Sequence, residues 1–251
     1  MLQRSRALIL VKALPQPSKK HQETVCCAGV TPDGAWKRLY PIRFRQLNEG
    51  STFHRWEWVD FEYELPPQDK RRESCKVFED RIQVSGHLKQ NERARFLNPL
   101  IMPSIDEAAA QGMSLALIRP HDCVFRYRKK SASDLDFERE RFALAARQQS
   151  LFDKELAALE PTPYEFKFDF DDGKSHSFTC ADWEVHTTFY KRRNEFGSEE
   201  AALEWMDHKF NDEYPRKGMA FAVGTMAARP QTWMLLGVIR LDELTQAELP
   251  L

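Results

Sequence analysis

The sequence predicts an α+β protein: a strand-rich fold in which curved antiparallel or barrel-like sheets pack with a few helices. Three observations favour it. Short alternating or β-branched apolar stretches recur along the chain, and turns rich in Pro, Asp and Gly separate them. The helical segments do not alternate with strands as βαβ units would, which disfavours a parallel doubly wound sheet. We expect one compact unit over residues 1–251, or two β-rich lobes (about 1–130 and 160–251) joined by a helix at 134–155.

In the N-terminal third, the residue pattern predicts a series of strands over residues 7–14, 23–31, 35–42 and 55–65. The turn Pro32-Asp33-Gly34 joins the second and third strands into a hairpin, because Pro and Gly occupy positions that favour a tight turn. The fourth strand alternates throughout, so Val59, Phe61 and Tyr63 should share its core face.

The middle of the chain mixes both types of element. Strands are predicted over residues 75–86, 114–120 and 122–130, and helices over residues 88–97, 104–111 and 134–154. Ser104 precedes Glu107 by three residues, the spacing of a capping box. The last helix is rich in Ala, Leu, Glu, Arg and Gln, which are good helix formers.

The C-terminal third begins with the clearest alternation, YEFKFDF, and a strong Asp-Asp-Gly turn. Strands are predicted over residues 164–170, 176–180, 219–226 and 232–241, and helices over residues 181–193 and 198–210. Asp182 and Ser198 are the expected caps of these helices. Arg229 lies in the predicted loop between the last two strands, where it could face a substrate.

Charge and cysteine content restrict the class of protein. The net charge is −1, so binding to nucleic acid would need a local patch rather than bulk charge. The five cysteines are odd in number and form no C-x-x-C pair. With no signal peptide and no run long enough to span a membrane, we expect a cytoplasmic protein with free thiols and no membrane partner.

A basic and aromatic segment between Trp36 and Trp58 is the candidate patch. Arginine and lysine can contact phosphates, and aromatic rings can stack on exposed bases. Strand alternation would place Arg43 and Arg45 on one face. The alternative is a solvated hairpin whose aromatic residues belong to the core. The candidate nucleic-acid-binding residues are Trp36, Lys37, Arg38, Tyr40, Arg43, Arg45, Arg55 and Arg72.

Catalytic candidates occur in three places. The thiolate of Cys26 could attack an electrophilic carbon, although a free cysteine is commonly a buried core residue. Asp69 and Glu73 lie in a polar loop that could orient a ligand or a water, or could form only local ion pairs. Asp182 and Glu184 precede His186 and could form an acid–base couple, or could be satisfied polar residues at a hairpin edge.

No motif for a nucleotide cofactor is present: there is no Gly-rich phosphate loop, no dinucleotide fingerprint and no G-x-S-x-G elbow. Cys180 and the nearby histidines lack the spacing of a known metal-binding motif and indicate a metal site only weakly. The sequence therefore does not identify a cofactor, and it does not exclude a bound metal such as zinc.

Several strings occur together along nearly the whole chain. They are PSKKHQETVCCAGVT followed by DGAWKRLYPIRFRQL, then F-x-x-W-x-W-V, DKRRESCKV, SLALIRP, ADWEV and GT…RPQTWMLLGVI. As an ordered set they resemble a family of small bacterial proteins from phage-defence islands that insert 7-deazaguanine bases into DNA. The resemblance implies a role in converting the nitrile of 7-cyano-7-deazaguanine to the amide, and it implies no specific site residues.

Two main hypotheses follow. The first is an enzyme of the nitrile hydratase type that acts on a base in DNA, with the base extruded or single-stranded and Arg38 and Arg72 polarising the substrate or anchoring phosphate. The second is a non-catalytic β-barrel reader that binds a modified base or a single strand. A protein adaptor within a modification or defence island is a third reading. DNA is the expected partner in the first two, and other proteins of such an island in the third.

Overall fold

The computed structural model describes residues 1–18, 22–146 and 159–243. By its internal contacts the chain divides into two compact units. Unit 1 comprises residues 1–87 and 129–164, and unit 2 comprises residues 88–128 and 165–251. Residues 88–128, which the two-lobe alternative assigned to the N-terminal lobe, therefore belong to unit 2.

The strands and helices confirm the predicted α+β class. The strands are β1 Gln3–Lys12, β2 Gln16–Ser18, β3 Gln22–Val30, β4 Trp36–Ile42, β5 Glu57–Glu64, β6 Ser74–Val77, β7 Gln83–His87, β8 Ile101–Met102, β9 Leu115–Ile118, β10 His121–Lys129, β11 Tyr164–Asp171, β12 Ser175–Thr179, β13 Met219–Met226 and β14 Arg229–Arg240. The helices are α1 Arg93–Leu97, α2 Ile105–Ala110, α3 Ala132–Ala146, α4 Trp183–Phe196, α5 Glu199–His208 and α6 Tyr214–Arg216, with a π-helical turn at Lys209–Glu213.

Unit 1 contains a closed, barrel-like sheet. Its strands follow the order β1–β3–β4–β6–β5, and pairing of β5 with β1 closes the ring. The pairing of β4 with β6 is parallel, and the other pairs in the ring are antiparallel. Val59, Phe61 and Tyr63 are buried on one face of β5, as the alternation predicted. Helix α3 lies against β2 and β3.

A glycine fixes the close approach of β1 and β3. Gly29 is paired with Ile9, and a Cβ at Gly29 would overlap the carbonyl group of Leu8. Only a residue without a side chain fits this position.

Unit 2 contains two sheets around an aromatic core. One sheet has the order β14–β13–β9–β8 and the other has the order β10–β11–β12. Burial alternates along β11 as predicted, and Phe166, Phe168 and Phe170 are all buried. The Phe168 ring contacts Phe125 at 5.1 Å and Phe221 at 5.3 Å between ring centroids. The predicted caps are confirmed: Ser104, Asp182 and Ser198 each accept a backbone hydrogen bond at the start of a helix.

Two local predictions are wrong. Residues 75–86 do not form one strand, because a 3₁₀ turn at Glu79–Arg81 separates β6 from β7. Arg43 and Arg45 do not share a strand face, because β4 ends at Ile42 and a 3₁₀ turn at Phe44–Gln46 follows. The helix predicted over residues 134–154 is present as α3 up to Ala146, and its remainder lies outside the described residues. No helix in the described ranges is long and apolar enough to cross a membrane.

Candidate active site

Strand β3 carries two adjacent cysteines, Cys26 and Cys27, on opposite faces. Alternation turns Cys27 into the core, where it is fully buried, and leaves Cys26 half-buried on the opposite face. Burial raises the pKa of the Cys27 thiol well above its usual range, and it raises the pKa of Cys75 to about 11 and that of Cys123 to about 12. These three thiols stay protonated at neutral pH, which makes them poor nucleophiles.

Arg38 on the neighbouring strand β4 brings a cation to Cys26. Its Nη1 lies 3.9 Å from Cys26 Sγ. The Arg38 side chain is only 6% exposed, and its Nη2 lies 3.6 Å from Oε1 of Glu73, whose side chain is 12% exposed. The Arg38 amide also donates to the Glu73 carbonyl at 2.8 Å. A partly accessible thiol beside a fixed guanidinium is the environment typical of reactive cysteines.

The loop before β6 adds a second arginine to this cluster. Asp69 accepts from Arg71 Nε at 2.8 Å and from Arg71 Nη2 at 2.6 Å, and also from the Ser74 hydroxyl at 2.8 Å. Arg71 in turn interacts electrostatically with Cys26 and Glu73. We call Cys26, Arg38, Asp69, Arg71, Glu73 and Ser74 the thiol cluster.

Asp69 serves to hold the loop rather than to transfer protons. Partial burial raises its pKa, but the hydrogen bonds from Arg71 and Ser74 outweigh that effect and lower the pKa to about 2. A carboxyl group that is ionised at all ordinary pH values cannot act as a general acid. It can fix the orientation of the Arg71 guanidinium.

This shift predicts a pH dependence of stability. Because the folded-state pKa of Asp69 lies below its unfolded value, the group stabilises the fold above about pH 4 and loses that effect as the pH falls to about 2. After allowance for solvent screening we expect Asp69→Asn to cost about 1–2 kcal/mol at pH 6 and close to nothing near pH 2. Urea unfolding of both proteins across this range measures the difference. The control Asp80→Asn removes an exposed carboxylate of the same unit, and an equal, pH-independent loss in both variants would contradict the assignment.

Several predicted phosphate contacts are engaged within the protein. Arg43 forms an ion pair with Glu79 at 3.0 Å, and Arg45 donates twice to Glu23, each at 3.0 Å. Lys37 Nζ donates to the Tyr63 hydroxyl at 3.2 Å.

The remaining nucleic-acid-binding candidates differ in exposure. Tyr40 is 42% exposed. Trp36 and Arg55 are half-buried, and Arg72 is exposed, while its neighbour Arg71 enters the thiol cluster. Their role in binding nucleic acid stays a prediction.

The candidates of unit 2 have structural partners. Asp182 is fully buried, and its carboxylate accepts from the amides of Glu184 at 3.0 Å and Val238 at 2.8 Å. It therefore caps α4 and ties it to β14. His186 Nε2 lies 3.1 Å from the Cys180 carbonyl. Glu184 is half-buried in the first turn of α4.

Sequence reasoning missed a histidine–aspartate pair in the same unit. His176 Nε2 lies 2.7 Å from Asp172 Oδ1, and the other carboxylate oxygen accepts from the Ile105 amide at 2.8 Å. Their spacing of four residues across the Asp-Gly turn was the signal available. Within the described ranges, no group of three or more His, Cys, Asp or Glu side chains could hold a metal ion.

Comparison with known proteins yields two matches of unassigned function. Residues 3–100 match a domain of unknown function, DUF8758, and residues 100–250 match another, DUF8757. No curated protein matches the chain. Because the second match spans more than half of the 251 residues, the chain belongs to the family defined by the domain of unknown function DUF8757.

Proposed function

We propose that this protein is an enzyme that hydrates the nitrile of a 7-cyano-7-deazaguanine base in DNA to the amide, with Cys26 as its nucleophile. The observation that carries the catalytic part is the half-buried Cys26 thiol 3.9 Å from the fixed guanidinium of Arg38. The choice of substrate base rests on the resemblance of the ordered sequence strings.

A nitrile carbon suits this arrangement because a thiolate is a strong nucleophile. In the first step the Cys26 sulfur bonds to the nitrile carbon, and the nitrogen takes up the proton that the thiol releases, giving a thioimidate. Arg38 Nη1 lies 3.9 Å from the Cys26 sulfur and can orient it for the attack. Arg71, oriented by Asp69, can donate hydrogen bonds to the developing negative charge on nitrogen.

Water completes the reaction. It adds to the thioimidate carbon, Glu73 accepts one of its protons, and that proton passes to the nitrogen. Collapse of the tetrahedral intermediate breaks the carbon–sulfur bond, forms the amide carbonyl and returns the thiol. The sum is one water added per nitrile, with no oxidant or reductant. Because the target base is stacked in a duplex, it must be extruded or presented in a single strand to reach Cys26.

The test is mass spectrometry of nucleosides from an oligonucleotide that carries 7-cyano-7-deazaguanine, before and after incubation with the folded protein. We expect the modified nucleoside to gain the mass of one water, and the ordinary nucleosides to stay unchanged. An unaltered base with tight, salt-sensitive binding of the oligonucleotide would replace this proposal with the non-catalytic reader.

A further inference from the structure

The loop that supplies Arg71 and Glu73 to the thiol cluster also presents two cations to solvent. Lys70 and Arg72 are exposed, whereas Arg71 and Glu73 are half-buried. Arg71 is the residue of this loop that interacts electrostatically with Cys26. The two exposed cations are its immediate neighbours in the chain, so they flank the inward-facing arginine of the site.

Hydrogen bonds fix the backbone of this loop on both sides. The Ser74 amide donates to the Arg71 carbonyl at 3.1 Å, which closes a tight turn. Asp69 accepts from the Arg71 amide at 3.2 Å as well as from its guanidinium. On the side of β4, the Arg38 amide donates to the Glu73 carbonyl at 2.8 Å. Because the loop is already ordered, a ligand that binds to it need not supply that ordering energy.

The two exposed cations have no carboxylate partner of their own. In the part of the chain that the structure describes, the side chains of Lys70 and Arg72 form no ion pair and no hydrogen bond. The acidic residues of the same loop, Asp69 and Glu73, already pair with arginines of the thiol cluster. Two positive charges are therefore exposed beside the site of a chain whose net charge is −1, which favours an anionic group on the ligand.

We propose that Lys70 and Arg72 form a phosphate clamp that binds the strand backbone next to the target base. The substrate class is then a nucleotide within a strand rather than a free base or nucleoside, since lysine and arginine contact the phosphates of nucleic acids. The inference rests on the proposed function in taking a base as the group that reaches Cys26. Arg38, which the sequence also offered as a phosphate anchor, is buried beside Glu73 and is not part of the clamp.

The first measurement is fluorescence anisotropy of a labelled single-stranded oligonucleotide with the full chain over a range of salt concentrations. We expect Lys70→Gln and Arg72→Gln each to weaken binding about fivefold at low salt. Each should also reduce the slope of log affinity against log salt by about 0.7, the value for one phosphate contact of a single strand. Arg141→Gln, at an exposed position of α3 in the same unit, is the matched control and should leave both quantities unchanged.

The clamp is overturned if Lys70→Gln and Arg72→Gln match Arg141→Gln in affinity and salt slope, or if the wild-type chain does not bind the strand. In either case, conversion of the nitrile would leave the proposed function in place. If binding depends on Lys70 and Arg72 but no nitrile is converted, the clamp stands and the proposed function falls.

The second measurement compares the modified base within the oligonucleotide with the corresponding free nucleoside as substrates. For the wild type, kcat/KM should be at least about tenfold higher for the strand, because binding energy from the phosphates lowers the barrier at the base. This ratio should fall about fivefold in Lys70→Gln and in Arg72→Gln. Equal values of kcat/KM for strand and nucleoside in the wild type would contradict the clamp while retaining the nitrile chemistry.

Discussion

Replacement of Cys26 by alanine is expected to abolish conversion of the nitrile, with a loss of at least about 10³-fold in rate, because the proposed carbon–sulfur bond forms at this thiol. The affinity for the oligonucleotide should stay within about twofold of the wild type, since binding energy comes mainly from phosphate contacts. Single-turnover conversion and fluorescence binding measure the two quantities separately.

Cys123→Ala provides the matched control. Cys123 is also half-buried, but burial raises its pKa to about 12, and it lies in unit 2. Its removal should leave the rate unchanged. Full activity in Cys26→Ala would exclude the thiol mechanism and would favour water activated directly, with Glu73 as the first residue to replace.

A trapping experiment adds a readout that a structural role could not give. Because the proposed intermediate joins sulfur to the nitrile carbon, rapid quenching with acid should capture a covalent adduct on the peptide that contains Cys26. Intact-mass analysis of the quenched protein should show the mass of the substrate added in the wild type and no adduct in Cys26→Ala.

Local sequence patterns predicted much of the fold. Period-two alternation identified the buried faces of β5 and β11, and cap residues identified the starts of α2, α4 and α5. Closure of the unit 1 sheet could not be predicted from local patterns, because β1 pairs with β5 between residues from Gln3↔Tyr63 to Leu8↔Trp58, which are far apart in the sequence. The 3₁₀ turn after β4 also depends on a distant residue, since Glu79 accepts from both the amide and the guanidinium of Arg43.

The sequence predicted which residue types form the candidate site, but it did not predict which of these side chains contact one another. The sequence offered Lys70, Arg71 and Arg72 together in a loop, where no periodicity indicates which side chain turns inward. In the structure it is Arg71 that turns inward, because its guanidinium donates two hydrogen bonds to Asp69. In the same way, composition revealed the cations of the basic and aromatic segment but not the carboxylates of Glu23 and Glu79 that pair with them.

Replacement of Asp182 by alanine is expected to destabilise the protein by about 3 kcal/mol, which distinguishes a structural from a catalytic aspartate. Loss of a helix cap costs about 1 kcal/mol. The change also leaves the Val238 amide without its acceptor in a buried strand, which costs about 1–3 kcal/mol. Urea unfolding followed by circular dichroism measures the sum.

The control is Asp136→Ala, which removes an exposed carboxylate from α3 and should cost less than about 0.5 kcal/mol. Asp182→Asn is the informative companion, since its amide oxygen can still accept one backbone hydrogen bond and should recover part of the stability. If Asp182 were instead a proton-transfer group, both substitutions would stop turnover while the unfolding midpoint stayed at the wild-type value. A carboxylate whose two oxygens already accept from Glu184 and Val238 has little capacity left for a substrate, so we expect the loss to appear in stability.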